Sequence, residues 1–563
     1  MNKNVNNLTL LQKYFDTAFD SPNGIKELRG LILKLAMMGK LVSQDANDQP
    51  ASELLKEIQS EKKKLLAEGK IKKQKPLPEI KPEEIPYALP DGWGWCRLGE
   101  LGEAQTGTTP PTKDPTNFGN FIPFIGPGDI QNNKMDLNNK GLSKAGMKKS
   151  RIIDSNSILM VCIGGSIGKH VINKVNVTCN QQINTITPFI RNTEFLFYIL
   201  ASKYFQSTVR GSAGGSATPI INKNKWSAIV IPFPPLNEQK RIVEKINELM
   251  ARCDEMERLK KEQQDKRLKT SIAALHQLAE SKDKTSFNSA FNFITNNFSS
   301  LYSVKENVEN LKKAILQLAM MGKLVPQDVN DQPASELLKE IQSEKKKLLA
   351  DGKIKKQKPL PKIKPEEIPY ELPDGWDWCR LNEAVDVRDG THDSPKYHNK
   401  GIPLVTSKNL YTGTLNFDNV KYISPKDHEK IQQRSKVDKG DILFAMIGSI
   451  GNPVIVNTEL EFSIKNVALF KYYKKNYIFE QYLYFFLLLT QQKMKDVSSG
   501  AVQNFVSLTF LRNYFFALPP LNEQKRIVAK INELMNLCDN MLDRIEKSER
   551  TQDKLLHSIL AKE

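Results

Sequence analysis

Amide and basic side chains occur in short polar loops at two places in this 563-residue chain. Asn180, Gln181 and Gln182 lie in one loop, and Lys465 and Asn466 lie in the other. Asn and Gln can form two hydrogen bonds with the edge of adenine, and Arg and Lys match guanine. These loops therefore contain the residue types that reading a DNA base requires, although ordinary surface loops are built from the same residues.

Further loops contain hydroxyl and ammonium groups that suit a nucleic-acid backbone. Residues 105–113 and 387–396 are turn-forming segments with a Thr and a Lys in reach of a phosphate, and 211–218 and 498–504 are rich in polar residues. The candidate DNA contacts are Thr108, Thr109, Lys113, Ser166, Lys169, Gln181, Gln182 and Lys223 in the first half of the chain, and Arg388, Thr391, His392, Lys396, Lys408, Ser449, Lys465, Gln503 and Asn504 in the second.

Two short motifs resemble catalytic ones but lack their context. Residues 124–128 (FIGPG) fit an F-x-G-x-G pattern of methyltransferases, yet no Asn-Pro-Pro-Tyr type segment follows to hold a flipped adenine, and no helix pattern follows the glycines. Residues 164–170 (GGSIGKH) resemble a phosphate loop, but Ile163 stands at its first glycine and His170 at its Ser/Thr. We therefore expect neither methyl transfer nor nucleotide hydrolysis by this chain.

Metal and disulfide chemistry are not expected either. The six histidines show no metal-ligand spacing, and the six cysteines never form a close C-x-x-C pair. We expect no cofactor in this chain.

The bulk charge favours a polyanionic partner. A formal charge of +18 suits nucleic acid or an anionic membrane surface. The start of the chain lacks the layout of a signal peptide, and no apolar stretch reaches the length of a membrane span. The longest apolar run, 482–489, predicts a buried helix. We expect a cytoplasmic protein without a membrane partner.

An internal repeat must position these loops. Residues 35–100 recur at 318–383, an offset of 283, with 7 of 66 positions different, and 234–250 recur at 519–535 with one difference. We call these repeated blocks the frame. Between them lie a first insert (100–233) and a second insert (383–518), which have nearly equal length but do not align convincingly by eye. Identical frames around unlike inserts indicate that each insert reads a different target; duplication followed by neutral drift is the alternative.

The frame is predicted to be helical. Ile25, Leu28, Ile32 and Leu35 recur in a heptad-like seam that is repeated by Val308, Leu311, Ile315 and Leu318. Similar seams follow the inserts, at Ile242, Ile246, Leu249, Cys253 and Met256 and at Ile527, Ile531, Leu534, Cys538 and Met541. A helix over 238–280 would span roughly 65 Å. This length is about two turns of DNA duplex.

The order of the frame parts is circular. The N-terminal arm resembles the second half of the central frame region, and the C-terminal tail resembles its first half. If the N-terminal arm and the C-terminal tail together form a second copy of the central frame region, the chain has a pseudo-two-fold arrangement. This arrangement would have two antiparallel helices with one insert at each end. Such an arrangement suits a DNA site of two unlike halves at a fixed separation.

A lysine-rich segment, 61–82, carries eight Lys and three Glu and runs from a helix into a proline-punctuated stretch. Three roles remain open for it: a solvated face, phosphate contact, or docking to a partner subunit.

The predicted fold class is α+β, with two α/β domains joined by long antiparallel coiled-coil helices. Core strands are predicted at 157–163 and 441–447. The predicted domains are an N-terminal helical arm (1–90), a first insert domain (91–236), a central region with a long helix (237–373), a second insert domain (374–521) and a C-terminal helix (522–563).

Several motifs together resemble the specificity subunits of type I restriction-modification systems. They are the Pro-Pro-Leu-Asn-Glu-Gln-Lys-Arg-Ile-Val block that closes each insert, the Ile-Pro-Tyr-x-Leu-Pro-Asp-Gly-Trp entry, and the Gly-Thr-His-x-Ser-Pro-Lys opening of the second insert. The resemblance covers nearly the whole chain. The first insert opens with Thr-Gly-Thr-Thr-Pro and lacks the His, which puts equivalent contacts there in doubt.

The resemblance implies that the inserts are target recognition domains, each reading one half of a bipartite site in double-stranded DNA. It implies that the helices set the gap and dock two modification subunits, which bring S-adenosylmethionine chemistry. Restriction subunits would add ATP- and Mg-dependent translocation and cleavage. The assembled complex is thus expected to be an adenine methyltransferase and an endonuclease, with this chain as its non-catalytic subunit.

Two other functions remain as alternatives. A coiled-coil scaffold with two protein-binding domains would show no salt-sensitive, sequence-selective binding to DNA. An autonomous restriction-methylation enzyme would transfer methyl groups without partners.

Overall fold

The computed structural model describes residues 19–190, 192–215, 218–498 and 505–561. The chain forms two compact units. Unit 1 covers residues up to 262 together with those from 549 onward, and unit 2 covers 263–548. Among the helices of the described ranges, none combines the length and apolar character that crossing a lipid bilayer requires.

Helices form the frame and parts of both inserts. The α-helices of the described residues are α1 (Gly24–Met37), α2 (Ala51–Ala67), α3 (Lys144–Lys148), α4 (Thr193–Ala201), α5 (Lys203–Ser212), α6 (Lys223–Ser227), α7 (Leu236–Glu280), α8 (Lys284–Asn296), α9 (Phe298–Leu301), α10 (Lys305–Met320), α11 (Ala334–Ala350), α12 (Leu381–Ala384), α13 (Pro425–Ser435), α14 (Glu480–Ser498), α15 (Leu508–Asn513) and α16 (Leu521–Ala561).

The two long helices connect the units. Helix α7 has 45 residues, begins in unit 1 and ends in unit 2, whereas α16 has 41 residues, begins in unit 2 and ends in unit 1. The long helix predicted over 238–280 is therefore confirmed, and at 1.5 Å per residue it extends roughly 68 Å. The chain passes between the units inside continuous helix both times.

Unit 1 contains two four-stranded sheets. Its strands are β1 (Gly94–Arg97), β2 (Gly102–Thr106), β3 (Phe118–Ile125), β4 (Ile130–Gln131), β5 (Lys134–Met135), β6 (Gly141–Leu142), β7 (Ile152–Ile153), β8 (Ile158–Val161), β9 (His170–Ile172), β10 (Val177–Cys179), β11 (Ile183–Pro188) and β12 (Val230–Phe233). One sheet is antiparallel in the order β2-β11-β8-β9. The other has the order β6-β3-β10-β7, with β3 and β10 parallel.

Unit 2 has a related set of sheets. Its strands are β13 (Asp377–Arg380), β14 (Asp386–Asp389), β15 (Ile402–Val405), β16 (Lys421–Ile423), β17 (Ile442–Ala445), β18 (Gly451–Ile455), β19 (Ser463–Ile464), β20 (Val467–Lys471) and β21 (Phe515–Leu518). The antiparallel sheet has the order β14-β20-β17-β18, and the mixed sheet has the order β16-β15-β19 with β15 and β19 parallel.

The two inserts share one topology although their sequences do not align by eye. Strands β2, β11, β8 and β9 correspond to β14, β20, β17 and β18, because both sets are antiparallel and follow the same order along the chain and across the sheet. The parallel pair β3–β10 likewise corresponds to β15–β19. The predicted core strands are confirmed, since every residue of β8 and of β17 is buried.

Each unit has a core in which frame helices pack against the insert. In unit 1, Leu54 of α2 and Ile242 and Ile246 of α7 join the apolar residues of the first insert. In unit 2, the matching residues Leu337, Ile527 and Ile531 do the same. Full burial of one such side chain is worth about 1.5–3 kcal/mol.

The seam predicted along α7 ends earlier than expected. Cys253 is buried, but Met256 is 38% exposed. At this turn α7 is held by charge instead, because Arg29 of α1 forms ion pairs with Asp254 and Glu257.

A buried glutamine of the frame joins it to each insert. The Gln239 amide donates to the Pro234 carbonyl (2.7 Å), and its oxygen accepts from the Asn192 side chain (2.8 Å). Gln524 of the second copy donates to the Pro519 carbonyl (3.0 Å) and accepts from the backbone N–H of Phe479 (2.8 Å). The Asn-Glu-Gln block therefore supplies an acceptor that the first insert uses through a side chain and the second through its backbone.

The lysine-rich segment is anchored by a buried arginine. Arg97 donates to the carbonyls of Pro78 (2.9 Å) and Glu79 (2.7 Å) and pairs with Glu84. The hydrogen bond from Arg97 is the main reason that the pKa of Glu84 is lowered to about 2. Arg380 makes the matching, longer contacts to Pro361 and Glu367. The backbone of this segment is thus fixed, while most of its lysines are exposed.

Candidate nucleic-acid interface

The antiparallel sheet of unit 1 brings three loops that contain candidate DNA contacts to one edge. Strands β2 and β8 end at this edge and β11 begins there, since Thr106 pairs with Asn184 and Val161 pairs with Ile183. The loops are 107–111, 162–169 and 180–182. In unit 2 the corresponding loops are 390–394, 446–450 and 465–466. We call each set a loop edge.

Direct hydrogen bonds hold the loop edge of unit 1 together. The Thr108 amide donates to the Cys179 carbonyl (2.8 Å), and the Cys162 amide donates to the Gln182 carbonyl (2.8 Å). The Thr109 hydroxyl donates to the side-chain oxygen of exposed Gln181. Residues from the first and third loops are therefore in contact, as their shared place on the sheet requires.

The loop edge of unit 2 contains a chain of polar side chains. The His392 ring nitrogens Nδ1 and Nε2 lie 3.1 Å from Asn466 Oδ1 and 2.8 Å from Asp389 Oδ2. The Asp389 carboxylate also forms an ion pair with Arg434, and its side chain is only 5% exposed. A buried carboxylate thus orients the imidazole, and the imidazole contacts the amide.

Backbone hydrogen bonds establish which residues of the two loop edges correspond. The backbone amide of Thr391 donates to the Ile464 carbonyl (3.0 Å), just as the backbone amide of Thr108 donates to the Cys179 carbonyl. The next residues are then Thr109 and His392, and each contacts an amide side chain of the third loop. The first insert lacks the histidine, and the Thr109 hydroxyl makes the corresponding contact with an amide side chain of the protein.

The remaining predicted residues are more scattered. Lys113, Lys169, Lys396 and Lys408 are exposed, and Lys223 begins α6 and is half-buried. Ser166 and Ser449 lie in the Gly-Ser turns of the loop edges. Arg388 lies on β14, where its Nε donates to Asp386 (2.7 Å), and the Lys465 ammonium donates to Ser394. Gln503 and Asn504 lie outside the described residues.

Residues 164–170 do not form a phosphate loop. His170, at the Ser/Thr position of that motif, is 7% exposed, and its ring packs 4.7 Å from that of Phe197. Burial lowers the pKa of His170, which favours the neutral ring. Burial also raises the pKa values of Cys162 and Cys179 to about 12, so both thiols beside the loop edge are protonated and unreactive.

The methyltransferase-like residues 124–128 end a strand instead of starting a cofactor-binding helix. Phe124 and Ile125 are the last residues of β3, and the chain continues through a single 3₁₀ turn, Pro127–Asp129, into β4. Asp129 accepts from the Gly126 amide and from Asn139, which closes this turn. The pattern is therefore explained by local structure.

Sequence reasoning missed two arginines at the loop edges. Arg151 donates from Nη1 to the Thr106 carbonyl (2.6 Å), and Arg434 pairs with Asp389. Both arginines lie far along the chain from the residues that they contact, in segments without a motif. The packing of α13 against β14 and β19 brings Arg434 to the loop edge, and Arg151 directly precedes β7, which pairs with β10.

A glycine at the start of each loop edge allows the loops to approach closely. A Cβ at Gly107 would lie 2.2 Å from the Asn180 carbonyl oxygen, and one at Gly390 would lie 2.3 Å from that of Ile464. Both oxygens belong to the backbone, so relief would require the loops to separate.

We therefore expect Gly390→Ala to cost roughly 1–3 kcal/mol in stability and to weaken DNA recognition at one half-site only. Thermal unfolding and DNA binding by the assembled complex measure the two effects. Gly128→Ala is the control, because a Cβ there meets no atom within 4 Å. Unchanged binding by Gly390→Ala would show that the close approach is not needed for recognition.

Comparison with known proteins also finds two copies of one domain in this chain. The family model described as "Type I restriction modification DNA specificity domain" matches twice, at residues 90–264 and 373–548. The "Type I restriction enzyme EcoAI specificity subunit" of Escherichia coli is 36% identical, over 94% of this chain and 92% of the relative. The EcoEI specificity subunit of Escherichia coli is 32% identical over the same shares.

Solved structures are also similar in part. The HsdS subunit from Thermoanaerobacter tengcongensis has a TM-score of 0.41 and 19% identity, covering 84% of this chain and 98% of that one. A chain from the structure described as "Structural basis underlying complex assembly and conformational transition of the type I R-M system" has a TM-score of 0.48 and 20% identity. The match covers 84% of this chain and 99% of that one.

Two copies of one α/β domain on a repeated helical frame define a modular recognition protein. With two matches to the family model and relatives that align along almost its whole length, the chain belongs to the specificity subunits of type I restriction-modification systems. It contributes two recognition domains and is a non-catalytic subunit, since the catalytic activities of these systems reside in partner subunits.

Proposed function

We propose that each loop edge reads one half of a bipartite DNA target and that the long helices fix the gap between the halves. The observation that carries this proposal is that the two loop edges share one backbone arrangement but present different side chains. Strand order, loop positions and backbone hydrogen bonds agree, whereas the exposed residues differ. A shared scaffold with different readout residues is what two unlike half-sites require.

The proposed domains follow the frame and the inserts. The first recognition domain is 91–236 and the second is 374–521, with a helical arm at 1–90, the central region with the long helix at 237–373 and the C-terminal helix at 522–563. Helices α7 and α16 would pair as an antiparallel coiled coil with pseudo-two-fold symmetry and dock two modification subunits. Support comes from the frame repeat and from the opposite order in which the two helices pass between the units.

The DNA contacts are proposed to be polar residues of the loop edges, above all the exposed Gln181 and His392 and the partly buried Thr109 and Lys465. S-adenosylmethionine would be bound by the modification subunits, and ATP and Mg by the restriction subunits. A formal charge of +18 supports DNA as the ligand, and the place of action would be the cytoplasm.

Mapping methylated adenines in the host genome tests this function. The chain is co-expressed with its modification subunit, and a strain without this chain is the control. We expect methylation at one motif of two short unlike halves around a fixed gap, and its complete loss in the control. Unchanged methylation in the control, with no second specificity subunit present, would instead indicate a scaffold.

A further inference from the structure

Each loop edge receives an arginine from a segment that lies outside the antiparallel sheet of the same insert. Arg151 follows α3 and donates to the carbonyl of Thr106, the last residue of β2. Arg434 lies near the end of α13 and pairs with Asp389, the last residue of β14. Since β2 and β14 correspond, the two arginines reach the same position from corresponding parts of the two inserts.

An amide side chain lies on the same loop edge as each arginine. Gln181 contacts Thr109, and Asn466 contacts His392, at matching places in the third loop. Arg151 is close enough to lower the pKa of Cys179, two residues before Gln181, against the larger effect of burial. In unit 2 the connection is direct, because Asp389 contacts both Arg434 and His392.

These side chains retain free hydrogen-bonding groups. Among the described residues, Arg151 has a hydrogen bond only from Nη1, and Gln181 only at its side-chain oxygen. Arg151 and Gln181 are exposed, and the Arg434 side chain is 54% exposed. A guanidinium fork matches O6 and N7 of guanine, and a carboxamide matches N6 and N7 of adenine.

We infer that Arg151 with Gln181, and Arg434 with Asn466, are the specificity-determining pairs of the two recognition domains. In each half-site the arginine reads a guanine and the amide reads an adenine. Thr109 and His392, besides their proposed contacts with DNA, orient the amides. This inference rests on the proposed function, because it assigns residues to the reading of the two half-sites.

Binding of the assembled complex to DNA libraries tests the assignment, with one position of the target randomised at a time. Arg151→Ala and Gln181→Ala are each expected to reduce discrimination at one position of the first half-site by about 5- to 150-fold. Asn466→Ala should do the same in the second half-site. Every variant should leave the other half-site unchanged, which also shows that the complex is folded.

Arg434 requires a different substitution, because its removal would leave the buried Asp389 with fewer partners. Arg434→Lys keeps the ion pair and loses the fork, so it should reduce discrimination for guanine without reducing the melting temperature. Lys439→Ala is the control: its side chain is 57% exposed and pairs with Glu459, but it precedes β17 at the opposite edge of the sheet. No change in discrimination is expected from it.

A uniform loss of affinity for all sequences would overturn the inference. If log K of the Arg151→Ala complex then depended less on log salt, by a slope of about 1 for the removed charge, Arg151 would be a phosphate contact. Unaltered discrimination in all four variants would equally overturn it. A wild-type complex without a bipartite target would instead contradict the proposed function, so the two failures can be told apart.

Discussion

Replacing residues 92–235 by the corresponding insert of another family member is expected to change one half of the methylated motif and leave the other half and the gap unchanged. The expected effect is all or none at the exchanged half, because its complete loop edge is replaced. Methylation mapping of the host genome measures the result.

The structure explains why such an exchange can leave the frame intact. Strands β1 and β12 pair at the two ends of the insert, so that Gly94 lies opposite Phe233. The Gly92 carbonyl accepts from the Ala51 amide of the frame (2.8 Å), which fixes the entry point. Gln239 accepts a hydrogen bond from the insert, and its counterpart Gln524 accepts one from a different kind of donor. The frame therefore tolerates unlike inserts.

The reciprocal exchange of 375–520 is the matched control and should change only the other half. Gain of the donor's half-site in each case would support modular reading. A change in both halves after a single exchange would contradict it, provided that the chimeric chain still co-purifies with its partner subunits.

The frame could be predicted from sequence because helices depend on local periodicity. The seam residues Ile242 and Ile527 are fully buried, as expected, and the repeat located both inserts. Met256 was predicted on the seam but is exposed, because charged residues of α7 contact α1 at that turn. Ion pairs between helices leave no apolar periodicity in the sequence.

The construction of the loop edges could not be predicted. Strand pairing and helix packing join residues that are distant along the chain, so nothing in the spacing places Arg434 beside Asp389. The correspondence of Thr109 with His392 was also hidden, because one is neutral and small and the other aromatic. Backbone hydrogen bonds establish this match, and they do not depend on side-chain identity.

Lengthening both connecting helices by one heptad is expected to widen the gap of the target by about three base pairs. The insertions duplicate 256–262 in α7 and 542–548 in α16, next to the points where each helix passes between the units. Seven residues add roughly 10 Å of helix. One base pair occupies roughly 3.4 Å of duplex. Seven residues also keep the residues on the two sides of each insertion at heptad spacing.

Both halves of the motif should remain unchanged, because the loop edges are not altered, and methylation at the wild-type site should disappear. Genome methylation maps of the two strains measure the gap directly. An insertion in α7 alone is the control: it leaves the two connectors unequal, so we expect loss of methylation without a new motif. An unchanged gap after the double insertion, in a complex that still assembles, would show that the helices do not set the separation. The partner subunits would then set the gap between the two half-sites, and α7 and α16 would act only to dock those subunits.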